Sequence, residues 1–410
     1  MINIIWGAMF LIAIIVAFIK LAIFGDIECF NRITQAIFDS ASSAVDISLG
    51  LIGILCFWLG ILKLVEKTGI ADKISKKLAP LFNVIMKDIP QNSPAISTVV
   101  LNMAANFLGL DNAATPMGLK AMEQLQKHNK QKDTASDAQI LFMILNASSV
   151  TLIPITIFMY RAKLGATYPT DVFIPILLAT SVSTFVGFLI VALKQKISLG
   201  NPILLKWIVV FIGAIISISI LFLLIPQDKR LILSSGMGNI ILVMLLGYII
   251  FIAIKNRLSS YEVFIDGAKE GFSIAVSIIP YLVSMLVAIA VFRASGVLDI
   301  LIDGIKTLCL TINVDSSFAD ALPTAFMKPL SGSGARAMMI ETMQTFGADS
   351  FASFASSVIQ GSTETTFYVL TVYFGAIKIS KTRYALKYAL ISDLAGIVAA
   401  IAFSYMFYNM

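Results

Sequence analysis

Charge is scarce in this chain. Asp, Glu, Lys and Arg make up 13% of its 410 residues, where a soluble domain carries about 25%. Hydrophobic residues make up 58%, and the mean hydropathy is +0.90. A soluble body is thereby excluded, and a membrane protein is the expected class. Histidine occurs once, as His128, and cysteine three times, as Cys29, Cys56 and Cys309. Their spacing matches no zinc or disulfide pattern, and one histidine leaves little material for a zinc or haem centre. No metal or cofactor is expected. No GxSxG, HExxH, CxxC or Walker pattern occurs, and a serine–histidine relay would need His128, in the polar stretch QKHNKQKDT. The chain is read as a non-enzyme with no catalytic residue. The formal net charge of +6 comes without a dense basic patch or aromatic ladder. Nucleic acid is therefore not an expected partner, and topology and anionic headgroups account for the charge.

Long hydrophobic runs are what is present. Clean runs cover about 2–24, 43–64, 138–160, 170–194, 205–225, 234–254, 269–292 and 384–408, each long enough to cross a bilayer at about 20 residues. The first is too long for a signal peptide and lacks a basic start, so it reads as a retained membrane helix. Runs near 73–100, 101–126, 297–314, 318–345 and 350–376 mix apolar residues with Pro, Gly, Ser, Asn and charges. Such segments break or re-enter, which is tolerated at membrane depth only inside protein or beside a watery cavity.

An internal repeat is visible. The stretch from Ile37, IFDSASSAVDISLGLIG, resembles that from Phe264, FIDGAKEGFSIAVSIIP, and the pairs Asp39/Asp266, Gly69/Gly296 and Asp72/Asp299 keep one spacing. Further on, Asp137/Asp349 and Thr151/Thr363 match at another offset. The expected fold is all-α: a polytopic integral membrane protein with two related repeats and discontinuous or re-entrant helices. An N-terminal membrane helix occupies 1–30, the first repeat 31–195, linking membrane helices 196–257 and the second repeat 258–410. Transporters of such architecture place their solute site where the repeats meet, on broken helices.

Polar residues mark the breaks. NFLGLDNAATPMGLKAMEQL (Asn106 to Leu125) follows Asn102 and carries Asp111, Asn112, Thr115 and Pro116. A helix resuming near Thr115 would turn free amides toward Asp111 and Asn112, a place for a carboxylate or phosphate. Asparagines donate and accept, which suits a base, sugar or amide. The plain alternative is an interfacial turn with an ordinary cap. The counterpart is PTAFMKPLSGSGARAMMIETM (Pro323 to Met343), with Ser333, Arg336 and Glu341; its glycines permit an anion-binding nest or simple close packing. Next come NASSVTLIP, with Asn146 and Ser148, and VIQGSTETTFYVLTVYFG, with Gln360, Ser362, Glu364 and Thr365. A carboxylate at membrane depth is costly and points to function. Glu364 is expected to bind a ligand or ion, or to pair with Arg336 or Lys328.

These motifs carry a resemblance. NMAANFLGLDNAATPMGLKAMEQLQ and NASSVTLIP resemble spore maturation protein A, and SGSGARAMMIETMQTFGADSF with ASSVIQGSTETTFYVLTVYFGAIKI resembles spore maturation protein B. The chain looks like a fusion of the two across nearly its whole length. The resemblance implies the nucleoside recognition, or gate, domain that concentrative nucleoside transporters and the ferrous-iron permease share. It puts motif residues at Asn102, Asn106, Asp111, Asn112, Thr115, Lys120 and Glu123, and at Ser333, Arg336, Glu341, Gln360, Ser362, Glu364 and Thr365. The family's name records a role in spore core dehydration and heat resistance, a phenotype rather than a chemistry. The function expected is transport of a small polar solute, nucleoside-like or anionic, across the bacterial cytoplasmic membrane. A coupling ion (H+ or Na+) and a homo-oligomer are further partners such an architecture admits. The alternative is a membrane scaffold or assembly factor in envelope or spore maturation without transport.

Overall fold

The computed structural model of the protein describes residues 2–90, 93–107, 111–148 and 150–408, and at residues 2, 3, 71, 72, 75, 111–113, 115, 116 and 278 it describes the backbone alone. The described chain is helical throughout, with no strand. Helix α1 (Ile2–Phe24) leads into α2 (Glu28–Thr68), the longest helix at 41 residues. At 1.5 Å per residue α2 is about 60 Å long, twice the hydrocarbon thickness of about 30 Å. The apolar run expected at 43–64 is therefore only its middle. Gly69 ends it in the left-handed conformation (φ 69°) and the chain turns into α3 (Ile70–Ile85).

Two short pairs follow: α4 (Pro94–Phe107) with α5 (Asp111–His128), and α6 (Asp137–Ala147) with α7 (Ile155–Lys163). Helix α5 begins at Asp111, four residues before the restart expected near Thr115, and His128 is its last residue rather than a loop residue. Ser136 and Gln139 close a reciprocal cap on α6, satisfying amides that a helix start leaves open. The expected single crossing over 138–160 is thus two helices. Residues 148–154 part them, where Pro154 cannot donate an amide hydrogen. Helices α8 (Phe173–Lys194), α9 (Pro202–Leu224) and α10 (Gln227–Lys255) then run apolar and long.

The second half opens with α11 (Ser260–Ala294), which turns at Gly296 (φ 84°) into α12 (Val297–Thr311). A 3-10 turn (Ser317–Ala321) precedes the broken pair α13 (Leu322–Met327) and α14 (Gly332–Phe346), and then come α15 (Phe351–Ser362), α16 (Thr366–Ala376) and α17 (Ala385–Phe407). Among the described residues, seven helices are long and apolar enough to cross a membrane: α1, α2, α8, α9, α10, α11 and α17. Apolar side chains of α1, α9 and α10, among them Ile15, Phe18, Leu221 and Val243, point outward. The all-α polytopic class is the one observed.

Helices of the first and second halves of the chain pack on each other. Along α2 and α11 the backbones nearly touch: a Cβ on Gly267 would lie 2.5 Å from the Leu59 carbonyl oxygen, and one on Gly271 2.7 Å from that of Leu55. Small residues permit this approach where lipid offers no hydrophobic drive for helix association. Helices α8 and α17 are joined by reciprocal bonds: the Ser183 hydroxyl donates to the Ser392 carbonyl (3.0 Å) and the Ser392 hydroxyl to the Ser183 carbonyl (2.7 Å). One apolar core runs through α2, α7, α8, α11, α14, α15 and α17, and a second through α4, α5, α6 and α16.

The breaks are where the halves meet. The Leu152 amide donates to the Phe107 carbonyl (2.9 Å), the Glu364 amide to that of Ala147 (2.8 Å) and the Phe367 amide to that of Pro329 (3.0 Å). Each broken segment thereby satisfies backbone groups of another, as a non-helical stretch at membrane depth requires.

Candidate functional site

A cavity of about 330 Å³ lies beside these breaks. From the second half it is lined by Lys328, Arg336, Gln360, Thr363 and Glu364, and from the first by Thr151 and Tyr160. Leu51, Leu55 and Trp58, on successive turns of α2, form part of its apolar wall. The local sequence explains the placement. Lys328 sits in the link before Pro329, where α13 has ended, and Arg336 lies in the second turn of α14. The Ser331 hydroxyl caps α14 by accepting the Gly334 amide at 3.1 Å. Gln360 closes α15, and Thr363 and Glu364 fall between α15 and α16. The Arg336 guanidinium stands 5.8 Å from the centre of the Tyr160 ring, a favourable cation–π distance. Glu364 is exposed to the cavity side, while Lys328, Gln360 and Thr363 are buried.

Three of the expected residues, Arg336, Gln360 and Glu364, thus converge. Asn102, Asn106 and Asn146 form a separate cluster. Asn102 Nδ2 donates to the Ala114 carbonyl (2.7 Å), Asn106 Nδ2 to Asn146 Oδ1 (2.7 Å), and the Tyr373 hydroxyl to the same Oδ1 (3.2 Å). Asn146 Nδ2 donates back to the Phe142 carbonyl at 3.0 Å. The side chains of Asp111, Asn112 and Thr115 lie outside the described residues; Lys120 and Glu123 are exposed on α5.

The remaining expected residues are occupied locally. Ser148 donates to the Ile144 carbonyl (2.9 Å) and Ser362 to that of Ile359 (2.8 Å). Ser333 shares a 3.2 Å contact with Ser331, and Thr365 is the residue before the first turn of α16. Glu341 is held by the Arg293 guanidinium and by the Thr345 hydroxyl (2.9 Å).

Thr151 and Thr366 fall in the polar stretches the sequence marked, though neither was named a site residue. Sequence reasoning missed two participants. Tyr160 ended a run read as one plain crossing. Asp393 lies within α17, fully buried, in a run classed as clean because a single carboxylate barely alters its average hydropathy. Its signal was available, since one acid among 23 residues of an apolar helix is the kind of exception that marks a site.

With this geometry described, comparison with known proteins places the chain. Residues 48–163 match the nucleoside recognition (Gate) family. Spore maturation protein A of Bacillus subtilis (strain 168) is 39% identical over 183 residues, 45% of this chain and 90% of that protein. Spore maturation protein B of the same organism is 47% identical over 159 residues, 39% of this chain and 87% of that protein.

The chain belongs to the fused spore maturation protein A/B family.

Each relative is matched over most of its length by part of this one chain. No solved structure matches. As a family member with several described helices long and apolar enough to cross a bilayer, the protein is a multi-pass cell-membrane protein. The gate match, 48–163, contains α3 to α7 and the C-terminal half of α2. It therefore includes the asparagine cluster and the first-half wall of the cavity, but none of Lys328, Arg336, Gln360 or Glu364.

Proposed function

We propose that this fused spore maturation A/B protein carries a small polar solute, nucleoside-like or anionic, across the cell membrane, and that the cavity is its binding site. The observation that carries this reading is the convergence of Lys328, Arg336, Gln360 and Glu364 on one cavity where broken helices of both halves meet. Broken helices at a repeat interface are the usual ground of a transporter site. Two cations against one exposed carboxylate favour an anionic or dipolar solute, and Gln360, Thr151 and Thr363 offer the hydrogen-bonding groups a base or sugar needs. The apolar wall from α2 supplies the rest of a typical small-molecule site. The solute crosses unchanged, so no catalytic group is assigned. The halves are read as two related copies, with Gly69 and Gly296 at the same turn of each.

Flux of nucleosides and small organic anions into proteoliposomes tests the reading. A solute taken up by the wild type and lost in Glu364→Gln or Arg336→Gln is the expected result. Absence of both binding and flux across the panel would sink it. Stable co-purification of a partner, with those variants still active in the cell, would mark a membrane scaffold instead.

A further inference from the structure

Beside the cavity, and sharing Gln360 and Thr363 with its lining, lies a set of buried oxygens that the protein's own hydrogen bonds leave over. Among the described residues, both carboxylate oxygens of Asp393, Gln360 Oε1, Thr363 Oγ1 and Thr366 Oγ1 close no hydrogen bond. Asp393 and Thr366 are fully buried, Thr363 is 4% exposed and Gln360 8%. Thr366 and Thr363 both border α17 near Asp393, and Gln360 precedes Thr363 by three residues. Gln360, Thr363 and Thr366 follow one another across the break between α15 and α16. Asp393 sits on α17 within electrostatic reach of Thr366, Lys328 and Glu364, although the Thr366 hydroxyl closes no hydrogen bond to it. Thr363 packs on Gly396, one turn along from Asp393, where an added Cβ would lie 2.6 Å from its methyl group. Buried acceptors of this kind are normally satisfied, and a buried carboxylate without a partner is costly.

We propose that Asp393, Thr366, Thr363 and Gln360 form a binding site for a monovalent alkali cation. The donor set is all oxygen with a single carboxylate. That suits a hard cation of single charge better than Ca2+ or Mg2+, whose sites gather more carboxylates or phosphates. A proton on Asp393 satisfies one oxygen and leaves the other acceptors as they are, whereas an alkali ion engages several at once. Taken with the solute site, the set joins two cations (Lys328, Arg336) to two carboxylates (Glu364, Asp393). A cation held at Asp393 leaves that group net positive, which strengthens its hold on an anionic solute. By reciprocity the solute then tightens the cation. Only this coupling rests on the transport reading; the cation site does not.

Thermal unfolding of the purified full chain, without solute, tests the site. The midpoint is followed while NaCl or KCl replaces choline chloride at constant ionic strength and pH. A saturable rise with Na+ or K+ is expected. It is lost in Asp393→Asn, and its half-saturating concentration rises in Thr366→Val. Equal response to all three salts overturns the site, as does a rise retained in Asp393→Asn, or a midpoint that follows pH alone. Should Asp393→Asn fail to fold, the wild-type salt series and Thr366→Val decide. Cation stabilisation without flux of any solute would overturn the transport reading alone. Flux without cation stabilisation would overturn the cation site alone.

Discussion

The asparagine cluster of α4 and α6 is closed, and the cluster around the cavity is open. In the first, Asn106 and Tyr373 both donate to Asn146, Asn146 donates to its own helix, and Asn102 holds the Ala114 carbonyl. In the second, Glu364 faces the cavity and the oxygens of Gln360, Thr363, Thr366 and Asp393 close no hydrogen bond. Both are built from polar residues at helix breaks. The difference teaches that polarity at depth is not by itself a site: a network that consumes its own donors and acceptors positions helices, and one that leaves them over can hold something else. Two arginines repeat the contrast. Arg161 is buried, pairs with Asp171 at 2.9 Å and reaches the Ser357 hydroxyl and the Ala348 carbonyl of the other half (3.4 Å each). Arg336 lines the cavity, and among the described residues its guanidinium has the Tyr160 ring against it.

Four substitutions would break or sharpen this contrast. Arg161→Met strands the Asp171 carboxylate among apolar neighbours and is expected to cost about 3–5 kcal/mol, read as loss of folded protein in a thermal scan. Arg336→Gln leaves the fold intact and is expected to weaken uptake of the best solute of the flux panel about 10–100-fold, the worth of a charged hydrogen bond. Equal loss of folding from the two arginine variants would erase the distinction between them. Asn146→Leu removes the acceptor shared by Asn106 and Tyr373. It should cost about 1–3 kcal/mol of stability, with solute affinity of the folded fraction unchanged; a drop in affinity would mean that the closed cluster belongs to the site.

The smallest effect is expected at the exposed rim, where Lys381 pairs with Asp133 at 2.8 Å. The Lys381 amine holds the Asp133 carboxyl below its usual value. The contribution of a carboxylate so lowered is complete above the ordinary range and is lost as pH falls through the folded value. Asp133→Asn should leave the unfolding midpoint within error and only quicken amide exchange at Ser380 and Lys381, whose N–H groups donate to the Asp133 carbonyl. A large midpoint shift would show the rim to be structural.

Much of this was legible in the sequence. Hydropathy located every described helix long and apolar enough to cross, and the Pro, Gly, Ser and Thr punctuation of 318–345 and 350–376 located both breaks of the second half. Three things were hidden for physical reasons. The split at 148–154 is written in short, weakly polar residues that hardly lower an apolar average. Helix α2 extends back to Glu28 through Asn31, Arg32, Thr34 and Gln35, residues a hydropathy window discards but a helix leaving the bilayer accepts. Asp393 was masked by the same averaging. Which polar residues would pair with each other, as Glu341 does with Arg293, depends on packing between distant helices, to which no local pattern speaks.

The three backbone bonds between breaks have a mechanical consequence. An amide held only by its own helix can shift with that helix, but those of Leu152, Glu364 and Phe367 are anchored on someone else's carbonyl. To slide one break past the next is to leave a donor and an acceptor bare where water is excluded, at a cost of several kcal/mol each. The four broken segments are therefore geared in series. A push at Glu364 is felt at Ala147, and the stretch that follows Ala147 passes it on to Phe107. A displacement at one break is thus resisted by breaks in both halves of the chain.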